Sequence, residues 1–227
     1  DKARVVFLGI KKAIKFLFEE LLVVDDKLLP YNNQLVFVTD FFVQVESPSL
    51  EQLKALKNWF WQTSLTNYFT VYSLSKQRLA YNKYQKFIKG ETLIPLYNHS
   101  SFEKLKVTDW PSKINFGSVR AKSILLLLLN HSNNWESYSS DNPSGCDIHY
   151  LFDNYPASTM ILLRSERSKF KDPVTFIENC NNPWLYVIDL QLIKRMLNGD
   201  VNATAERQFN ILQLEKSFSN KLGLEYF

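Results

Sequence analysis

Apolar residues return every three or four positions along several separate stretches of this chain, and that spacing limits its fold more than any other feature. From Val5 to Val24, the residues Val6, Ile10, Ala13, Leu17 and Leu21 recur, with Lys11, Lys12 and Lys15 between them. That is the spacing of one face of an α-helix, and it does not alternate as a half-buried strand would. Ser49 to Phe69 repeats the pattern through Leu53, Leu56, Phe60 and Trp61. Its start is marked by Ser47 or Ser49 as a cap, by Pro48, and by Glu51 and Gln52 in the first turn. Ser75 to Lys89 reads as a further helix closed by Gly90, and Ser118 to His131 as a helix buried almost all round. Asp189 to Leu197 and Thr204 to Leu222 complete the helical stretches, with Gly223 as the expected cap of the last.

One segment is ambiguous. "LVFVTDFFVQV", Leu35 to Val45, is rich in β-branched and aromatic residues, which favours a strand. Its apolar residues do not alternate, which favours a helix, and helix is the reading adopted. Val174 to Asn179 is a shorter structured stretch, and Thr92 to Pro111 reads as irregular. Asn133 to Gly145 is polar and turn-rich and is the best place for a boundary. The expectation is a mainly α protein: a multi-helix bundle over residues 1–132, followed over 133–227 by a small α+β insert with a hairpin near Ile148 to Leu163 and the C-terminal helices.

Composition excludes several classes. A chain of 227 residues can bury a substantial core, and 45% apolar with 22% charged residues is ordinary for a globular protein. Only 6 glycines occur, and neither GxxxxGK[ST] nor GxGxxG is present, so the backbone cradle for nucleotide phosphates is missing. The longest apolar run, Ile124 to Leu129, is far below the roughly 18 residues that span a bilayer, so no membrane partner is expected. Cys146 and Cys180 lie far apart with no CxxC, too few and too distant for a zinc cluster. Two reduced thiols in a cytoplasmic protein are the reading adopted, with a disulfide as the alternative. Glycosylation triplets start at Asn98, Asn130 and Asn202, but no signal peptide accompanies them. Net charge is +4, which permits a nucleic-acid partner and equally fits solvated surface charge. The chain opens at Asp1 directly into a helical pattern, as a fragment of a longer protein would.

Three stretches together resemble one family. "LLPYNNQLVFVTDFF" leads into "LKNWFWQTSLTNYF", where the cluster Trp59-Phe60-Trp61 precedes Thr63-Ser64-Leu65 and Tyr68. "CDIHYLFDNYPAS" follows later, and "ERQFNILQLEKSFSNKLGLEYF" closes the chain. This combination resembles the C-terminal region of the GmrSD-type restriction nucleases and their bacterial relatives. In that family a ParB-like nucleotide-hydrolysing domain stands upstream of a C-terminal HNH nuclease domain, and many members act in defence against foreign DNA. The resemblance implies a ParB-like domain upstream of Asp1 in the same protein, and DNA as a partner.

An HNH site hydrolyses a phosphodiester with one metal ion, a His serving as general base and neighbouring His, Asp or Asn side chains holding the cation. On the family motif, His149 takes the first His position and Tyr150 the place of the base. Leu151 and Phe152 match the apolar pair, and Asp153 stands where Pro is usual. A neutral Tyr is a poor base at pH 7, its ordinary pKa being about 10. The returning ligand position falls on Arg167 or Ser168, and a guanidinium has no lone pair for a metal. The resemblance therefore implies a degenerate, inactive site with no resident metal. In a shifted register His149 is the base, Asp147 the metal partner and Asp153 a second carboxylate. That register is an active endonuclease using Mg²⁺ or Mn²⁺, though the remaining histidines, His99 and His131, supply no obvious third ligand.

Basic residues flank this stretch: Lys113, Arg120 and Lys122 before it, and Arg164, Arg167, Lys169 and Lys171 after it. They are the candidates for phosphate contact, against the plainer reading of a solvated face. Trp59 and Trp61 could stack bases but read more simply as core residues. Three functions stay open: a DNA-associated module with a dead HNH-like site, an active HNH endonuclease, and a non-catalytic helical scaffold for a partner.

Overall fold

The computed structural model describes residues 2–23, 26–71, 73–98, 104–109, 117–131, 146–150, 160–164 and 190–226. Over these the chain is mainly helical. Helices α1 (Lys2–Leu21), α2 (Asn32–Gln44), α3 (Leu50–Leu65), α4 (Tyr68–Val71) and α5 (Leu74–Ile88) lead to α6 (Val119–His131). Two strands follow, β1 (Cys146–Tyr150) and β2 (Met160–Arg164), then α7 (Leu190–Leu197) and α8 (Val201–Lys221). The strands pair antiparallel, with Asp147 opposite Leu163 and His149 opposite Ile161. The stretches expected over Asn133–Gly145 and Val174–Asn179 lie outside the described residues.

Two compact units emerge. The first comprises Asp1–Val23, Leu29–Asp109 and Phe218–Phe227, and the second Val24–Leu28 and Trp110–Ser217. The boundary expected between residues 132 and 133 falls inside the second unit.

In the first unit the caps do what the sequence asks of them. Ser49 opens α3 through a reciprocal box: its Oγ accepts from Gln52 N at 3.2 Å, and Gln52 Oε1 accepts from Ser49 N at 3.0 Å. Gly90, at φ +75°, and Gly223, at φ +73°, close α5 and α8 in the left-handed conformation that only glycine adopts without strain. At the second, Gly223 N donates to Asn220 O and Leu224 N to Ser219 O, both at 3.0 Å, the paired bonds of a Schellman ending. The helix expected through Phe69 instead breaks after Leu65. Asn67 takes φ +50° there, which Asn tolerates better than most residues, and α4 restarts at Tyr68.

The ambiguous segment is helix α2, because its two apolar sides are needed at once. Val38 and Phe41 are buried, and Phe37 packs into an aromatic cluster. Phe37 stacks on Trp59 at 5.3 Å, meets Tyr84 edge-on at 4.8 Å, and lies 5.6 Å from Phe69. Phe41 stacks on Phe87 at 5.4 Å. Trp59 and Trp61 are both buried, Trp61 edge-on to Phe218. Removing any one such ring from a close-packed core costs about 3–5 kcal/mol. Helix α1 approaches α2 at Gly9, where an added Cβ would run into the Val43 side chain and sit 3.3 Å from the Val43 backbone nitrogen. The closing segment adds a small cluster of Leu65, Val107 and Leu224, held by Val107 N donating to Glu225 O and Glu225 N to Leu105 O, each at 2.9 Å.

At the centre of this unit sits a polar side chain. Gln34 is fully buried on α2. Its Nε2 reaches Phe60 O at 3.1 Å, Thr63 Oγ1 at 2.9 Å and Ser64 Oγ at 2.8 Å, while its Oε1 accepts from Tyr31 N at 3.2 Å. A Gln34→Leu variant keeps the volume but strands the Tyr31 amide and withdraws the donor from α3. Unsatisfied buried polar groups cost about 1–3 kcal/mol each. Urea denaturation of Gln34→Leu should show destabilisation of about 2 kcal/mol, and a variant as stable as the parent would mean the network carries no net stability.

Candidate nucleic-acid interface

Of the sequence candidates, Asp147 and His149 stand two residues apart on β1, and Arg164 ends β2 opposite Cys146. Lys113, Asp153, Arg167, Lys169, Lys171, His99 and Cys180 lie outside the described residues. Among the described residues no group of three His, Cys, Asp or Glu side chains is gathered as a metal site. His131 is exposed at the end of α6.

Arg120 differs from the expectation. It belongs to the second unit, on α6, and is buried with Glu215 of α8. The two make a bidentate pair: Nη1 donates to Oε1, and Nη2 to Oε2 at 2.7 Å. A guanidinium so occupied does not face a phosphate. The reason is local: α6 buries Ala121 and Ile124 through Leu128, so a cation one residue before that face is drawn inside and takes an anion with it. Lys122 is half-buried. Nearby on α8, Arg207 is also buried, and burial lowers its pKa to about 9, so it remains charged at neutral pH.

What sequence reading passed over is α5. From residue 74 to residue 89 the chain carries Lys76, Arg78, Lys83, Lys86 and Lys89 and no acidic residue. Ala80, Tyr84, Phe87 and Ile88 turn into the core, which leaves Arg78, Lys86 and Lys89 exposed. Arg78, Asn82, Lys86 and Lys89 run along one side at helical spacing. None of Arg78, Lys86 and Lys89 joins an ion pair among the described residues. The signal was present as a charge run without acids. Its meaning depended on which positions the core would consume.

Beside this ridge α2, α4 and α5 enclose an open cleft of about 440 Å³. Phe37, Phe69 and Tyr81 supply aromatic walls, and Asn33, Gln77, Arg78 and Asn82 supply polar groups. Tyr81 donates to Asp40 Oδ2 at 3.3 Å, and Gln85 Nε2 donates to the same oxygen at 2.6 Å. Gln44 Nε2 donates to Asp40 Oδ1 at 2.8 Å. The Tyr81 phenol is raised above its ordinary pKa, first by burial and then by the Asp40 carboxylate, so it stays a neutral donor through the physiological range. Tyr84 is raised well above, by burial first. Its hydroxyl donates to Phe37 O at 2.9 Å, which fixes the ring behind the cleft. A second open cleft, of about 360 Å³, lies along α3 between Glu51, Lys54 and Asn58 on one side and Leu93, Ile94 and Pro95 on the other, and carries both signs of charge.

Compared with family models, with curated proteins and with solved structures, the chain matches none.

The paired guanidinium makes a sharp expectation. Arg120→Ala takes the bidentate partner from the buried Glu215 carboxylate, and loss of one partner of a buried pair costs about 3–5 kcal/mol. Replacing both, Arg120→Met with Glu215→Leu, should recover most of that loss. Thermal melts of the single and double variants measure this; equal losses in both would mean that packing, not charge, holds α6 to α8.

Proposed function

We propose that this chain is a DNA-associated, non-catalytic helical module of a GmrSD-like bacterial defence protein. In the intact cytoplasmic protein it would be joined to a ParB-like domain. The observation that carries the DNA reading is α5: an acid-free basic helix whose exposed Arg78, Lys86 and Lys89 line one side. Such a row presents cations that a nucleic-acid backbone can meet. Each cation that meets a phosphate releases a condensed counterion, and that release drives sequence-independent binding. The neighbouring cleft has aromatic walls and a guanidinium, a combination that receives unstacked bases. The family part of the reading rests on the "WFWQTSLTNYF" stretch and on the HNH-like "CDIHYLFDNYPAS". In the second of these, Tyr150 stands where the base belongs, and an arginine at 167 brings positive charge where a metal ligand is expected.

Binding to a labelled duplex should be weak and fall linearly in log affinity against log salt. Replacing Arg78, Lys86 and Lys89 by Ala together should reduce that slope by about one unit for each cation lost. Replacing Arg164, Arg167, Lys169 and Lys171 by Ala tests the flank of the HNH-like stretch in the same assay. Absence of binding even at low salt would remove the DNA reading.

Plasmid nicking in Mg²⁺ or Mn²⁺ should be nil for the parent. Nicking that vanishes in His149→Ala would instead establish Asp147 and His149 as a live site and overturn the inactive reading.

A further inference from the structure

Helix α1 carries an apolar seam only half of which is covered. Phe7, Ile10, Ile14, Leu17 and Leu21 follow one another at alternating steps of three and four residues, the a/d spacing of a helix that packs against another helix. Leu17 and Leu21 are buried, at 5% and 0% exposure. Phe7, Ile10 and Ile14, on the same seam about one to three turns before Leu17, are 55%, 37% and 55% exposed. Val6 widens the exposed part on one flank and is itself 45% exposed. Contiguous apolar surface of this kind on a folded protein marks an interaction site. Gly9 and Ala13, on the neighbouring side of the helix, are buried, so the exposed seam runs along α1 beside that packed side.

The charges beside the seam specify the partner. On the flank of the seam away from the buried Gly9 and Ala13 stand Arg4 and Lys11, and Lys11 Nζ lies 4.7 Å over the Phe7 ring. Lys2, Arg4, Lys11, Lys12 and Lys15 all precede the first acidic residue of the helix, Glu19. In an antiparallel pairing with a second copy, Arg4 and Lys11 would face their own counterparts, like charge against like. We propose that the exposed Phe7–Ile10–Ile14 seam of α1 docks an amphipathic helix of a partner protein with acidic residues on its flanks. The apolar knobs enter between the partner's core side chains, and Arg4 and Lys11 meet its carboxylates, the pairing that sets partner choice in two-helix seams.

The probes are two synthetic heptad-repeat helices with leucine at the core positions, one with glutamate on both flanks and one with lysine. Fluorescence anisotropy against the full chain should show binding of the acidic helix and not of the basic one. Phe7→Glu with Ile14→Glu should abolish that binding at an unchanged unfolding midpoint. If that pair lowers the midpoint, Arg4→Glu with Lys11→Glu, whose positions are solvent-facing, carries the test. It should weaken the acidic helix about tenfold, two attractions having become repulsions, and admit the basic one. Failure of the acidic helix to bind, or equal binding of both helices, overturns the proposal. So does concentration-dependent dimerisation of the parent abolished by Ile14→Glu, which would make the occupant a second copy. Co-sedimentation with phosphatidylserine vesicles that depends on Phe7 overturns it in favour of a lipid surface.

Discussion

The buried carboxamide of Gln34 is the contact on which the first unit depends. It sits on α2, at the start of the helix, and spends its donors on the last turns of α3 and its acceptor on the Tyr31 amide. The hydroxyls it meets are themselves committed: Thr63 Oγ1 donates to Trp59 O at 2.9 Å, and Ser64 Oγ to Phe60 O at 2.7 Å. The Gln34 Nε2 group therefore finds its acceptors on α3 only when α2 and α3 stand in one register. A slip of one residue would leave that buried amide without its acceptors, a loss that is a sizeable fraction of a protein's net stability. With that register set, Phe37 lies on Trp59 and Tyr84 closes behind it. The α2–α5 cleft then has aromatic walls.

The second unit solves a similar problem with charge. Arg120 and Glu215 meet inside it, with Arg207 buried on the same helix as Glu215. A buried ion pair adds little over an apolar pair of equal volume, but it is intolerant of half-occupancy. Near its start, α8 is held by exposed contacts of a weaker kind. Asp200 accepts from Asn202 N and Ala203 N, and Arg195 reaches Asp200 at 2.8 Å and Glu206 at 2.9 Å. The Asp200 carboxyl is held below its usual pKa, chiefly by the Arg195 hydrogen bond. With Arg195 and Glu206 exposed and Asp200 half-buried, these groups contribute through local geometry at the helix start rather than through desolvated charge.

Two surfaces of the first unit then stand apart in character. One side of α5 is cationic and borders a cleft with aromatic walls, which suits a polyanion with exposed bases. The first half of α1 is apolar with a cationic flank, which suits another helix. Both helices are rich in lysine, so charge alone does not separate them. What separates them is what the core consumes: α5 turns Ala80, Tyr84, Phe87 and Ile88 inward and shows its row of cations, whereas α1 leaves Phe7, Ile10 and Ile14 of its apolar seam outside.

The sequence by itself determined the helices, because a period of 3.6 and the end signals are local. The Ser49 box, Gly90 and Gly223 are legible without knowing any partner. So are the stretches now seen as α1, α3, α5, α6 and α8. Asp200 could also have been read as the cap that starts α8 at Val201, three residues before the expected Thr204. Non-local choices were decided only by the tertiary structure. Whether "LVFVTDFFVQV" is helix or strand depended on aromatic partners on α3 and α5. Whether Arg120 meets a phosphate or a carboxylate depended on Glu215, a residue 95 positions away. Whether the lysines of α5 or the apolar residues of α1 face solvent depended on which side of each helix the core took. Periodicity states that a face exists; only the packed neighbours state which groups on it are already satisfied, and a surface can act only through the groups that are left.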